Sequence, residues 1–347
     1  MADDPFSIEG TGAGENPVSF STYGCKVFKE DPETPDKLTP NIVLRREVRN
    51  GELTAPDGRK IKFWGFSDPD STNRAHRRPV YPSPPIRVRV GQVVHTQLKS
   101  TTGPHTIHHH GIMPTTFNDG VGHVSFEAGA YTYQWRPHQA GTNIYHCHRN
   151  TVLHFEMGMF GLIIVDPEKG PGYLSDHDDG PRYDAEVAWV ADDMDPRWHE
   201  LSHNDGLCGE DVGLNRFEPE YFLLNGVFNN RTMTDPRAFA TVPAGKTLLI
   251  RLLNASYSVL SVTLGIEAEV VAVDGSTLGG PDNPWNHPFT LPANVPFDLS
   301  SAQRHGLLIK PLPRGTIINA NMEFRHWITG AIQDNGRGVI NTKIVVT

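Results

Sequence analysis

Residues 86–111 read IRVRVGQVVHTQLKSTTGPHTIHHHG, and residues 240–265 read ATVPAGKTLLIRLLNASYSVLSVTLG. The two stretches align without a gap at a shift of 154 residues, which sets Gly91 on Gly245, Leu98 on Leu252 and Gly111 on Gly265. A second match, at a shift of 174, sets Gly141-Thr142-Asn143-Ile144-Tyr145-His146-Cys147-His148 against Gly315-Thr316-Ile317-Ile318-Asn319-Ala320-Asn321-Met322. Short alternating runs of this kind, punctuated by 28 prolines and 33 glycines, carry the period of strands, and no stretch keeps a helical period for long. The chain is predicted to be all-β, with two copies of one β-sandwich in tandem.

Outward from the repeat, residues 1–40 are polar and rich in Pro, Gly and Glu, as expected of an N-terminal arm. The first sandwich is expected over 41–166 and the second over 184–347. Between them, 167–183 opens with Pro-Glu-Lys-Gly-Pro-Gly and reads as a linker. A length of 347 residues suits two domains. The net charge of -9 and the lack of a basic run argue against nucleic-acid binding. No apolar run approaches a membrane span, and Met1-Ala2-Asp3-Asp4 lacks the basic and apolar regions of a secretory signal.

The chemistry concentrates in two segments of the first copy, His105-Thr106-Ile107-His108-His109-His110-Gly111 and His146-Cys147-His148, the latter followed by His154 and Met159. Successive side chains on a strand point to opposite faces. His146 and His148 therefore point one way and Cys147 the other, while His108 and His110 share a face and His105 has the opposite parity. One thiol, several imidazoles and a thioether form a donor set suited to copper. Zinc also takes Cys and His, but the methionine weighs against it. With Cys147 in this motif, Cys25 and Cys208 remain as a possible disulfide, or as two unrelated thiols.

The patterns H-x-x-H-x-H-G (His105 to Gly111) and H-C-H (His146 to His148), the GTxxYHCH run and the RLLNAS segment (Arg251 to Ser256) resemble cupredoxin domains. The pair resembles the multicopper oxidases, including laccases and related two-domain copper proteins, over about residues 40–347. This resemblance implies Greek-key sandwiches and a type 1 copper held by His105, Cys147 and His154. Met159 would be its axial ligand, since related sites place that residue five after the second histidine; Met157 is the competing thioether. The resemblance further implies a type 2 or type 3 copper centre at His108, His110, His146 and His148, with electrons passing to it through Cys147 and on to dioxygen. Asp119, in Asn118-Asp119-Gly120, stands where oxidases of the family carry an Asp-Gly that helps deliver protons, and otherwise reads as a turn residue. The pattern departs from the family in the six residues between Cys147 and His154 and in Arg149, where an apolar residue is usual.

The alignment sets Val259, Val262 and Leu264 on His105, His108 and His110, and Ala320, Asn321 and Met322 on the H-C-H triplet, so the second copy is expected to be copper-free. The family's cluster draws histidines from two facing domains, whereas this chain offers them from one. Completion is expected from another copy or another protein, with a homotrimer favoured by the resemblance. The expected reductant is a phenol, a metal ion or a redox protein. Two alternatives stay open: a nitrite-reductase-like enzyme with one type 2 copper, using His110, His146 and a third ligand from the adjacent subunit, at a place where this chain carries Ala320 and for which His305 or His326 could substitute; and a type 1 blue-copper carrier without catalysis. Because thiolate copper sites are usually kept outside the cytosol, a removed leader and a periplasmic or secreted location are expected.

Overall fold

The segment Ile86–Arg89, IRVR, buries its two apolar residues and exposes both arginines, as a strand with one dry face must. The computed structural model describes residues 38–121, 127, 129–280 and 283–347. The first half is built from β1 (Ile42–Thr54), β2 (Lys60–Ser67), β3 (Ile86–Arg89), β4 (Val94–Ser100), β5 (His108–His110), β6 (Ala130–Trp135), β7 (Gly141–His146), α1 (Thr151–Glu156) and β8 (Phe160–Asp166). These strands form two sheets in the orders β2-β1-β4-β6 and β3-β8-β7-β5. Val94, Leu98, Tyr133 and Trp135 from one sheet meet Ile86, Tyr145 and Ile163 from the other in a shared core.

The second half contributes β9 (Ala185–Met194), β10 (Tyr221–Leu224), β11 (Val227–Phe228), β12 (Ala240–Val242), β13 (Leu248–Asn254), β14 (Val259–Leu264), β15 (Ala268–Val273), β16 (Ser276–Thr277), β17 (Phe289–Leu291), β18 (Phe297–Leu299), β19 (Arg304–Ile309), β20 (Ile317–Arg325) and β21 (Val339–Val346). One sheet runs β11-β10-β9-β13-β19-β15-β16 with β17 beside β15, and the other runs β12-β21-β20-β14-β18. The wiring of the first half recurs. The parallel pairs β1/β4 and β3/β8 have counterparts in β9/β13 and β12/β21, and the order β3-β8-β7-β5 recurs as β12-β21-β20-β14.

The repeat is therefore structural, but its ungapped register slips in one place. The shift of 154 holds across β4 and β13, where Val94 and Leu98, and then Leu248 and Leu252, face their cores. It fails one strand later. His109 is the residue of β5 that packs inward, against Tyr133 and Trp135, whereas on β14 the inward residues are Leu260, Val262 and Leu264. A slip of one residue exchanges the faces of a strand. Val262 and Leu264 thus face the core, as His109 does, and do not hold the outward places of His108 and His110. By the same alternation Ala320 and Met322 correspond to core-facing Tyr145 and Cys147. The outward positions are Ser261 and Thr263 on β14 and Asn319, Asn321 and Glu323 on β20, again without a histidine.

The two sandwiches share a second apolar cluster, in which Phe63, Tyr81, Ile144, Phe155, Phe160 and Leu162 meet Val190, Leu223 and Leu253. Polar contacts cross the same boundary: Arg251 Nη1 donates to Thr142 Oγ1 at 2.8 Å, and Arg304 Nε to the Thr142 carbonyl at 3.2 Å. The backbones come close enough that a Cβ on Gly141 would stand 2.0 Å from the Gly275 oxygen. Residues 167–183 are packed rather than loose, because Leu174 is buried with Leu249 and Val271 and Tyr173 bridges Arg182. No helix among the described residues is long and apolar enough to cross a membrane. Residues 1–37, which hold most of the expected arm and Cys25, lie outside the described residues, as does His123.

Phe160 is fully buried, stacked on Phe155 at 4.6 Å and edge-on to Tyr81 at 5.7 Å. Phe160→Ala is expected to cost about 3–5 kcal/mol, read as a lowered midpoint of chemical denaturation; an unchanged midpoint would show that this cluster does not hold the halves together.

Candidate metal centre

The H-C-H triplet begins at the end of β7, where the Cys147 amide donates to the Met159 carbonyl at 3.0 Å and the His148 amide to Thr106 Oγ1 at 2.7 Å. Cys147 therefore turns into the core beside Met159, and both are fully buried. The Cys147 Sγ lies 3.6 Å from His105 Nδ1 and 3.3 Å from His154 Nδ1. The far nitrogens are occupied: His154 Nε2 donates to the His203 carbonyl at 3.0 Å, and His105 Nε2 pairs with Thr102 Oγ1 at 3.2 Å. For His154 this fixes the proton on Nε2 and leaves the Nδ1 lone pair facing the sulfur.

The six residues between Cys147 and His154 are accommodated by α1, which carries His154 on its last turn. Asn150, with φ 41°, precedes the helix, and Gly158, with φ 102°, closes it where a Cβ would stand 2.6 Å from the Tyr81 ring. The two methionines separate cleanly. Met159 shares the core cluster of Cys147, whereas Met157 packs with Leu153, Trp198 and Phe217. Burial pushes the Cys147 thiol up to about 11, holds His105 well below its ordinary value and lowers His154 to about 3. The imidazoles are thus neutral donors.

On the opposite face, β5 pairs with β7 so that His108 lies across from His146. The His108 ring stands 5.6, 5.3 and 5.4 Å from the rings of His110, His146 and His148, and His146 stacks on His148 at 5.6 Å. Ligand atoms of His108, His110 and His146 lie within 4.8 Å of one another. His108 Nδ1 donates to the Asp119 carbonyl at 2.7 Å and His146 Nδ1 to the Cys147 carbonyl at 3.0 Å, which leaves each Nε2 as a lone-pair donor. Burial lowers His146 to about 3 and His110 to about 4, the latter helped by the Arg304 guanidinium. His109 is a core residue, with its Nε2 on Thr96 Oγ1 at 3.1 Å. Asp119 orients His108 through its backbone, and its carboxylate lies 3.4 Å from the same His108 Nδ1.

Among the described residues two groups of three or more could hold a metal ion, and neither includes His305 or His326. His305 stacks on Phe297 and His326 on Trp327, both within the second sandwich. The first group, however, adds a residue the motifs did not mark: His203 joins His105 and His154. It comes from the segment between β9 and β10, and no local spacing ties it to the histidines of the first half. Arg149 is equally unanticipated in role. It forms a buried ion pair with Glu127 and reaches Asn204 Oδ1 at 3.2 Å.

Residues 79–170 match the multicopper oxidase family. The chain is 29% identical over 224 residues to a copper-containing nitrite reductase of Neisseria meningitidis serogroup B, covering 62% of this chain and 50% of that protein. It is 31% identical over 160 residues to the L-ascorbate oxidase of Cucumis sativus, covering 42% of this chain and 24% of that protein. The chain thus spans half or less of the length of these two relatives. In fold it is similar to the blue copper oxidase from Nitrosomonas europaea, with TM-score 0.62 and 21% identity over 88% of this chain and 85% of that one. It is also similar to the copper nitrite reductase from the same organism, with TM-score 0.59 and 18% identity over 88% of this chain and 93% of that one. Residues 79–170 thus match the multicopper oxidase family, in a chain whose fold is similar to those of a multicopper oxidase and of a copper nitrite reductase.

Proposed function

We propose that the chain is a copper-dependent oxidoreductase that takes electrons from a reductant on the cysteine side and delivers them to dioxygen on the histidine side. The observation that carries this reading is the arrangement of two donor sets back to back across one strand, with Sγ of Cys147 on one side and the imidazoles of His146 and His148 on the other. The cysteine side fits a metal by its spacing. Donors about 2.0 and 2.3 Å from one ion, at angles between tetrahedral and trigonal, stand about 3.5 Å apart, and Sγ lies 3.6 and 3.3 Å from the two Nδ1 atoms.

In this reading His105, Cys147, His154 and Met159 would hold type 1 copper, and His108, His110, His146 and His148 would hold type 2 or type 3 copper. Bound copper supplies one-electron oxidation and reduction, which thiolate and imidazole ligands support at neutral pH. The protein's part is positional. The Cys147 carbonyl accepts the His146 Nδ1 hydrogen, so covalent bonds and one hydrogen bond link the thiol to the imidazole on the other face. Burial keeps water from the cysteine side, while His108, His110 and His148 keep partial exposure on the other. Asp119, beside His108, is the candidate to hold a proton for the reduced acceptor. Further ligands for the histidine face would come from another copy, with a trimer favoured. The sandwiches, taken as domains over 41–166 and 184–347, would divide the work between copper binding and assembly, in a periplasmic or secreted protein.

A second reading is favoured by the three-imidazole group: His108, His110 and His146 would suffice for one type 2 copper, as a nitrite-reducing enzyme would need. Copper content and substrate separate the readings. Intense blue absorption with about two coppers per chain and nitrite consumption supports the reductase, and a higher content with oxygen consumption supports the oxidase. One copper per chain with neither activity would leave a carrier.

Cys147→Ser is expected to abolish the blue band and all turnover while circular dichroism stays unchanged; a persisting band would overturn the cysteine-side assignment. His108→Ala is expected to keep the band and lose oxygen or nitrite consumption. Loss of the band in that variant would contradict the separation of the two faces.

A further inference from the structure

Segment 203–205 belongs to the second sandwich by sequence, yet it lies on the cysteine-side pocket of the first. The His203 ring stands 4.7 Å from the rings of both His105 and His154, at 90° to the first and 53° to the second. Its Nε2 donates to the Pro104 carbonyl at 3.0 Å, and its own carbonyl accepts from His154 Nε2. Two further bonds tie the segment down, Arg149 Nη2 to Asn204 Oδ1 at 3.2 Å and Asn150 Nδ2 to the Asp205 carbonyl at 2.9 Å. The seat is shaped for the ring. Gly103, at φ +124°, faces it so closely that a Cβ would stand 3.0 Å from Cε1 and 3.1 Å from Nε2 of His203.

Cys147, His105, His154 and Met159 are fully buried, whereas His203 is partly exposed. The His154 edge that points away from sulfur ends on the His203 carbonyl. We infer that His203 is the cover of the cysteine-side pocket, a positioning residue that decides what reaches Cys147 and His154 from solvent. Given the redox reading proposed above, on which this second half rests, an electron donor meets the His203 ring and not the bare edge of His154.

The cover is tested first without metal, so that it does not depend on the redox reading. Alkylation of Cys147 by N-ethylmaleimide is followed in the metal-free chain by peptide mass, which resolves it from Cys25 and Cys208. With the chain reduced beforehand so that Cys208 is a free thiol, His203→Gly is expected to raise the Cys147 rate about tenfold or more, with exposed Cys208 unchanged as the internal control. His203→Phe, which refills the seat, is expected to restore protection, and Gly103→Ala, which pushes the ring out, is expected to lose it. Equal Cys147 rates in wild type and His203→Gly overturn the inference, and so does equal exposure in the Gly and Phe variants, which would mean the loop and not the ring gives protection. In the copper-loaded chain, ascorbate is expected to bleach the thiolate absorption faster in His203→Gly than in wild type at an unchanged wavelength. Equal bleaching rates overturn the donor half. Absence of that absorption from loaded wild type overturns the redox reading and the donor half with it, while the alkylation rates still decide the cover.

Discussion

Everything in this molecule hangs on the alternation of side chains along β7 and the residues just beyond it. A strand cannot send Cys147 inward without sending His146 and His148 outward, so one chain direction serves two chemical environments. Pairing with β5 sets His108 opposite His146, and the Cys147 amide, bonded to the Met159 carbonyl, places Met159 in the same core cluster as Cys147. Each histidine whose outer nitrogen donates to a carbonyl is thereby committed to a tautomer. His154 gives its Nδ1 to the cysteine side, and His108 and His146 give their Nε2 to the other.

Much of this was legible in the sequence because it follows from local rules. Parity separated the two faces, and the resemblance to related copper sites pointed to Met159, which shares the core of Cys147 while Met157 does not. Self-similarity gave the tandem sandwiches. What it could not give was the register beyond β4, because alignment is blind to a change of one residue in a loop and strands are not. Val262 and Leu264 looked like replaced ligands but are core residues, and the places facing the other way hold Ser261 and Thr263. Helix α1 was hidden for another reason: six residues are too few to display a helical period.

The residues that sequence reasoning missed are those whose partners are far along the chain. His203 is about one hundred positions from Gly103 and Pro104, and nothing local distinguishes it from other loop histidines. Arg149 sits inside the motif but gains its meaning from Glu127 and Asn204. A buried guanidinium must be paired to be tolerated. The same guanidinium also donates to Asn204 of the second half, at the edge of the candidate centre.

The location of His203 has a consequence for dividing the chain. In chain order Cys147, His105, His154 and Met159 all precede the segment that carries His203. A chain cut between the two halves would keep every one of these donors and lose the ring and the carbonyl that meet His105 and His154.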